Sequence, residues 1–223
     1  MLPALDQRTL EAVYDRVARR YDWQHAFFTA RADQRGRRLL VQQAVRPGDC
    51  VLDCGAGTGS TARLAAQRVG PGGRVTLFDL SGGMLTVARE RARRAGVLER
   101  CTFLRGDLHA LPFADGAFDA ALSTYSLCPV THPVQGALEM LRVVKPGGRV
   151  GIVHSAEPER PWLRWLAARL EAVVWRVPGL SLGCRAVSVL PALQETGATV
   201  LFQRRVGVPL WPFVVFVVEK PAA

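Results

Sequence analysis

Apolar and polar positions change period several times along the chain, and the changes outline its elements. Leu10, Val13, Tyr14 and Val17 recur at helical spacing with Arg16, Arg19 and Arg20 interleaved, so the stretch from Met1 to Arg46 reads as helical. Pro47-Gly48 ends it. A strand-like run from Cys50 to Cys54 breaks into the glycine run Gly55-Ala56-Gly57-Thr58-Gly59. Helical spacing resumes through Leu64 and Val69, Pro71-Gly72-Gly73 is a turn, and Arg74 to Asp79 is a second strand. Ser81 reads as the cap of a helix that runs to Arg94 and is closed by Gly96. Cys101 to Arg105 and Phe118 to Thr124 are further strands. A helix from His132 to Val144 ends at Pro146-Gly147-Gly148, and Arg149 to His154 is the fifth strand.

Strands separated by ten- to fifteen-residue helices predict a parallel sheet covered on both faces. Beyond Pro161 the pattern changes to one long apolar helix, Trp162 to Val177, then loops and a short helix. Ala198 to Arg205 and Pro212 to Glu219 are closing strands. The expected architecture is α/β: a doubly wound, mostly parallel seven-stranded sheet with an N-terminal helical cap. One domain, 1–223, divides into the cap (1–46), a core (47–155) and a C-terminal part (156–223).

Composition narrows the class. With 223 residues, 49% of them hydrophobic, the chain is long enough for a sizeable core and too apolar for extended disorder. The longest apolar run, Pro209 to Val218, is about half of the roughly 20 residues a membrane helix needs. The first twenty residues carry early charge and no apolar h-region, so the expected location is the cytoplasm. Cys50, Cys54, Cys101, Cys128 and Cys184 form no C-x-x-C pair, and no zinc ligand set is expected. Cys50, Cys54 and Cys101 read as small buried hydrophobes in strands, while Cys128 follows a strand end. The net charge is +10, and 27 of the 29 basic residues are arginine. That excess suits an anionic partner and is equally a compositional bias, because the arginines are spread along the chain.

The chemistry sits at the glycine run. In a doubly wound sheet, ligands bind beyond the carboxyl ends of the strands, beside the first strand. A turn of glycines after a strand and before a helix lets a ligand touch bare backbone. The spacing G-x-G-x-G brings the third glycine, Gly59, one residue earlier than the dinucleotide fingerprint does. Asp53 closes the first strand; a carboxylate there repels a pyrophosphate but suits an ammonium group. S-adenosylmethionine has that group and a sulfonium, and no phosphate. Asp79 closes the second strand twenty residues after Gly59, where a carboxylate accepts from both ribose hydroxyls. Asp107, after the third strand, is placed to accept from an adenine amino group with Leu108 against the ring.

On these residues the chain resembles the class I S-adenosylmethionine-dependent methyltransferases, whose fold is Rossmann-like. The nearest likeness is to ubiquinone/menaquinone-biosynthesis C-methyltransferases and bacterial phospholipid N-methyltransferases. The likeness runs from Ala12 to Ser155 and rests on VYDRVARRYD, VLDCGAGTG, RVTLFDLSGGML, GDLHALPFADGAFDAALSTYSL and LRVVKPGG. It implies that Gly55, Ala56 and Gly57, with Asp53 and Gly59, surround the methionine part of the cofactor. By the same likeness Asp79 holds the ribose, Leu80 beside it belongs to the cofactor-binding set, Met84 lies beside the adenine, and Asp107 and Leu108 complete its pocket. Ser123 would approach the sulfonium, and Tyr21 of the YD pair would close over the cofactor, with Tyr14 of a similar pair second. Residues Ser123 to Pro129 lack the Arg-Asn pair of the quinone type, and the end of the chain looks more like the phospholipid enzymes.

The implied reaction is methyl transfer to a small, lipophilic acceptor: a quinone-precursor ring carbon or, alternatively, a phosphatidylethanolamine-type headgroup. Transfer from a sulfonium needs alignment and exclusion of water more than acid catalysis. A carbon or amine acceptor still loses a proton, and His154, His132 and Tyr125 are candidate bases, each also readable as a cap or packing residue. Trp162, Trp165 and Trp175 among Arg164, Arg169 and Arg176 suit either a packed lid helix or peripheral contact with an anionic membrane at the inner face. A nicotinamide oxidoreductase would require G-x-G-x-x-G. A nucleic-acid amine methyltransferase would carry Asn/Asp-Pro-Pro-aromatic after the fourth strand. Neither is present, so no nucleic-acid partner is expected.

Overall fold

The computed structural model describes residues 6–18, 32–174 and 186–222. Seven strands form one sheet in the order β3-β2-β1-β4-β5-β7-β6. The strands are β1 (Cys50–Cys54), β2 (Arg74–Asp79), β3 (Cys101–Arg105), β4 (Phe118–Thr124), β5 (Val144–Ser155), β6 (Thr199–Val208) and β7 (Trp211–Glu219). β1 to β5 run parallel, and β7 pairs antiparallel with both β5 and β6. The helices are α1 (Gln7–Val17), α2 (Ala32–Ala44), α3 (Ser60–Val69), α4 (Gly82–Arg94), α5 (Pro133–Val143), α6 (Pro161–Val174) and α7 (Leu190–Glu195). The doubly wound α/β expectation therefore matches the sheet in strand number and direction.

Local chemistry explains the boundaries. Asp6 caps α1 by accepting the Thr9 amide at 3.0 Å, and Ser81 caps α4 by accepting the Met84 amide at 3.0 Å. Pro133 supplies the first residue of α5, with His132 as the cap. β4 is buried along nearly its whole length because it lies mid-sheet, which is why its centre, Ala120-Ala121-Leu122, is apolar without alternation. Separate apolar cores cover the two faces. One is centred on Leu40, Val51, Leu77 and Leu122, the other on Leu52, Phe78, Met140 and Ile152.

Some expected boundaries shift. β5 begins at Val144 rather than Arg149: Val144 pairs with Phe118, Lys145 to Gly148 bulge out of the ladder to β4, and pairing resumes at Arg149 opposite Ala120. The Gly147 amide donates to the Lys220 carbonyl (3.0 Å) and the Lys220 amide to Gly148 (2.9 Å), so the chain end pairs with this stretch. Within the expected N-terminal helical stretch the described residues form α1 and α2, and residues 19–31 lie outside the described set. Likewise 175–177, the expected end of the long apolar helix, lie outside it. Cys54 is buried as expected, whereas Cys50 is exposed at the strand start and Cys101 half-buried; Cys184 falls outside the described residues. Cys128 is fully buried and its sulfur accepts the Ser155 amide at 3.3 Å, a packing position.

Candidate functional site

Sheet order reverses between β1 and β4, where the connections from their carboxyl ends diverge to opposite faces. The turn after β1 fills this position with three glycines at positive φ: Gly55 (66°), Gly57 (53°) and Gly59 (77°). Each has a separate reason. A Cβ on Gly55 would lie 2.2 Å from the Ser126 Cβ, and one on Gly59 would press on Ala88 at 3.0 Å, where α3 meets α4. A Cβ on Gly57 would meet nothing within 4 Å, because that side faces an open cleft. The turn is held from behind: the amides of Gly55 and Ala56 donate to the Phe78 carbonyl at 2.7 and 3.1 Å.

The cleft opens between this turn, the ends of β2, β3 and β4, and α1. Asp79 stands on its floor with both oxygens oriented. Oδ2 accepts the Gly57 amide at 2.7 Å and Oδ1 the Ser81 amide at 2.9 Å. Loss of water raises its pKa, and these two amides oppose the rise. Leu80, Asp107 and Leu108 continue the lining along the β2 and β3 ends. Asp107 Oδ1 accepts the His109 amide at 2.9 Å and lies 2.7 Å from His109 Nδ1, so the ring and the backbone of its own turn fix one face of the carboxylate. α1 forms the opposite wall with Leu10, Glu11 and Tyr14. It is pinned there by Asp15, which accepts from Ser81 Oγ and from the Gly83 amide (3.0 Å), and by the Glu11–Arg105 ion pair.

The structure thus brings Gly55, Gly57, Asp79, Leu80, Asp107, Leu108 and Tyr125 to one cleft. It sets other expected residues behind the lining. Asp53 is fully buried beneath the turn, paired between Leu77 and Leu122 in the sheet register rather than facing the cleft. Ala56 packs in the core, and Met84 packs with Val17 and Ala18 between α4 and α1. Ser123 is buried with its hydroxyl 2.6 Å from that of Ser126, which in turn donates to the Cys54 carbonyl at 2.8 Å; Ser126, not Ser123, reaches the cleft. Tyr21 lies outside the described residues, while Tyr14 lines the cleft.

The candidate bases separate in the same way. His154 is buried against the Phe216 ring, centroid to centroid 5.8 Å, with Nδ1 on the Ser155 carbonyl, and burial lowers its pKa. His132 caps α5 with its ring 5.9 Å from that of His109, outside the lining. Tyr125 sits at the cleft end of β4 with φ of 62°, the only non-glycine residue at positive φ among those described, but its side chain is buried under α2, where the hydroxyl donates to the Asp33 carbonyl at 3.4 Å and burial pushes its pKa up, so it stays protonated. His109, Ser126 and Phe78 were not singled out from the sequence. His109 has a visible signal in its position two residues after Asp107, the spacing of a side chain that returns to a turn carboxylate.

A buried polar cluster lies under the cleft. Arg37 of α2 donates through Nη1 to Thr61 Oγ1 (2.8 Å) and Thr124 Oγ1 (2.5 Å), and its guanidinium lies 5.1 Å from the Tyr125 ring centroid. It ties the helical cap to the helix after the glycine turn and to the end of β4. Asp53 shares this interior, and neither of its oxygens has a well-formed hydrogen bond. Burial pushes its pKa up to about 7 against the opposing pull of Arg37, and the Asp79 charge adds to the rise.

Comparison with known proteins agrees with this geometry. Residues 51–148 match the model of a methyltransferase domain family. The ubiquinone/menaquinone biosynthesis C-methyltransferase of Ectopseudomonas mendocina is 37% identical over 152 residues, covering 68% of this chain and 59% of that protein. The chain belongs to the class I S-adenosylmethionine-dependent methyltransferases. It spans about three fifths of the length of the curated relatives it matches. Among solved structures, a S-adenosylmethionine-dependent methyltransferase from Aquifex aeolicus aligns with TM-score 0.63 at 20% identity, over 96% of this chain and 98% of that one. Geranyl diphosphate C-methyltransferase from Streptomyces coelicolor aligns with TM-score 0.66 at 18% identity, over 82% and 74%. At such identities these structures establish the methyltransferase fold. The cofactor of the family suits the site: the open side of Gly57 leaves room for a ligand against bare backbone, and Asp79 is already aimed by two amides.

Proposed function

We propose that this methyltransferase transfers a methyl group from S-adenosylmethionine to a small lipophilic acceptor, with a quinone-precursor ring carbon as the first choice. The observation that carries this reading is the cleft itself: oriented carboxylates at the ends of β2 and β3, a glycine floor at β1, and apolar walls from Leu10, Phe78, Leu108 and Val130. The similarity to quinone-biosynthesis C-methyltransferases supports the acceptor class.

In this reading Asp79 holds the ribose hydroxyls, Asp107 and Leu108 the adenine, and Gly55 and Gly57 the methionine end. When bound, the cofactor supplies an electrophilic methyl on a sulfonium. The chain's own work is to align and dry the site. α1 covers the cleft, Ser126 holds the glycine turn, and Tyr125 braces the end of β4 from beneath, its ring against Arg37 and Phe213 and its hydroxyl on the Asp33 carbonyl. No side chain is assigned as general base.

The test is a radiolabelled methyl-transfer assay on total lipid extract with products separated by class. Label in a quinone fraction is expected. Label in a phospholipid headgroup would support the second reading, which the exposed Trp and Arg residues of α6 favour. Absence of label from both would overturn the lipophilic-acceptor reading.

A further inference from the structure

We infer that α6 and the tip of the β6–β7 hairpin form a docking surface for an anionic lipid membrane, placed on the same edge of the sheet as the cofactor cleft. The inference rests on the lipophilic-acceptor reading for its purpose and on separate residues for its geometry.

α6 has two unlike sides. Leu163 and Ala167, four residues apart, are each only 8% exposed and seat the helix on the protein. Trp162, Trp165 and Arg169 follow the i, i+3, i+7 spacing of the opposite side, where Trp162 is 59% and Trp165 60% exposed. The Arg169 guanidinium lies 4.6 Å from the Trp165 ring centroid, the arrangement of a ring and a cation presented together. Two large aromatic rings left in water on one helical stripe are unusual for a surface that meets only solvent.

The hairpin tip extends the patch. Val208 is 48% exposed, Pro209 is exposed, and an open groove runs between this tip and the start of α6. Ser155 at the end of β5 pairs with Phe213 near the start of β7, so the tip projects beyond the carboxyl ends of the parallel strands. That is the edge on which the glycine turn and Asp79 open. A bilayer against this surface would face the side of the protein from which an acceptor enters.

Charge identifies the occupant. Arg160 and Arg205 line the groove with Trp162, Arg169 lies on Trp165, and Arg164 of the same helix donates to the Pro158 carbonyl at 2.8 Å. The acids there are Glu157 and Glu159, and Glu159 is matched by Arg205 at 3.2 Å. The patch is therefore net basic on a chain of net charge +10. Tryptophan rings at headgroup depth with arginines meeting lipid phosphate are the combination an interface selects. No described helix is long and apolar enough to cross a membrane, so the contact is peripheral.

The experiment is flotation of the full chain with vesicles of phosphatidylcholine containing phosphatidylglycerol, against phosphatidylcholine alone, at low and high salt. Binding to the anionic vesicles that weakens in salt is expected. Trp162→Ala with Trp165→Ala should weaken it about tenfold or more. Arg160→Gln with Arg169→Gln should weaken it by a similar factor and flatten the salt dependence. Binding of S-adenosylhomocysteine, measured by calorimetry, should be unchanged in both and certifies the fold. Wild-type protein that fails to float, variants that float equally well, or retention on duplex DNA in preference to vesicles would each overturn the docking surface. Transfer to detergent-dispersed acceptor, measured on the same preparations, separates the two readings. Transfer that persists without vesicle binding overturns the surface alone; vesicle binding without transfer to any lipophilic acceptor overturns the acceptor reading alone.

Discussion

Asp79 Oδ2 accepts the amide hydrogen of Gly57 at 2.7 Å, so the carboxylate that ends β2 is tied to the glycine turn that follows β1. The Ser81 amide fixes the second oxygen at 2.9 Å, and Ser81 is also the cap of α4. A ligand carrying two vicinal hydroxyls meets an acceptor whose orientation is settled before binding, which lowers the cost of ordering it. Asp79→Asn keeps the shape and loses the charge. Its affinity for S-adenosylhomocysteine should fall about ten- to a hundredfold, the scale of a hydrogen bond to a charged group. Calorimetry on wild-type and variant protein reads this directly, and equal affinities would refute the role.

Gly57 and Gly55 separate room for the ligand from room for the fold. At Gly57 an added methyl enters empty space at φ 53°, so Gly57→Ala should fold, at a cost of about 1–2 kcal/mol for the left-handed backbone. It should also lose cofactor binding by at least about tenfold, because the methyl occupies ligand volume. At Gly55 the same methyl meets Ser126 at 2.2 Å, so Gly55→Ala should lower the melting temperature further than Gly57→Ala does. Thermal melts with and without S-adenosylhomocysteine distinguish the pair: the ligand should stabilise wild-type protein and leave Gly57→Ala unmoved.

Most of the scaffold was legible because the signals are local. Ser81 and Gly96 bracket α4, and the alternation of strand and helix through Ser155 follows from runs that cannot be buried any other way. The cleft was legible in part. Asp79, Asp107 and the glycines declare themselves by type and spacing. Which side chain faces out was not, because it depends on register: Asp53 pairs between Leu77 and Leu122, and that neighbour relation places it inside. Ser123 and Ser126 illustrate the same limit, since two serines three residues apart exchange roles once β4 ends and Tyr125 turns to positive φ. Lys145 to Gly148 misled for a different reason: a Pro-Gly-Gly stretch ordinarily stops an element, and here Lys220, distant in sequence, supplies its partners.

His109 is expected to act through Asp107. Its ring nitrogen and its amide both engage Asp107 Oδ1, which holds the carboxylate in one orientation at the cleft. His109→Phe retains an aromatic ring and removes the nitrogen. Affinity for S-adenosylhomocysteine should drop about three- to tenfold, the scale of one hydrogen bond. The loss should disappear for the analogue in which the adenine amino group is replaced by oxygen, because that ligand gains nothing from a well-aimed Asp107. An equal loss for both ligands would assign His109 a packing role only.

The buried Asp53 predicts an unusual pH dependence of stability. Its folded pKa is about 7, pushed there by burial, against about 3.9 for an unfolded aspartate. Between those values the folded protein holds a proton that the unfolded chain has released. Folding stability therefore falls as pH rises from about 4 to about 7, by roughly 4 kcal/mol from this group, and the penalty is complete above that window. Asp119 and Glu139 act in the opposite sense, since ion-pairing with Lys145 and Arg142 holds their pKa values down, so the whole-protein profile mixes both signs. The difference between wild-type and Asp53→Asn profiles isolates Asp53, because the amide does not titrate. Urea denaturation at intervals from pH 4.5 to 8 should show the variant gaining on the wild type as pH rises. Arg37→Met removes the cation that now pulls the Asp53 pKa down, and should carry the wild-type decline to higher pH. Parallel profiles for wild type and Asp53→Asn would mean that Asp53 is already ionised across the range, and that water or Arg37 compensates its charge far better than the geometry around it implies.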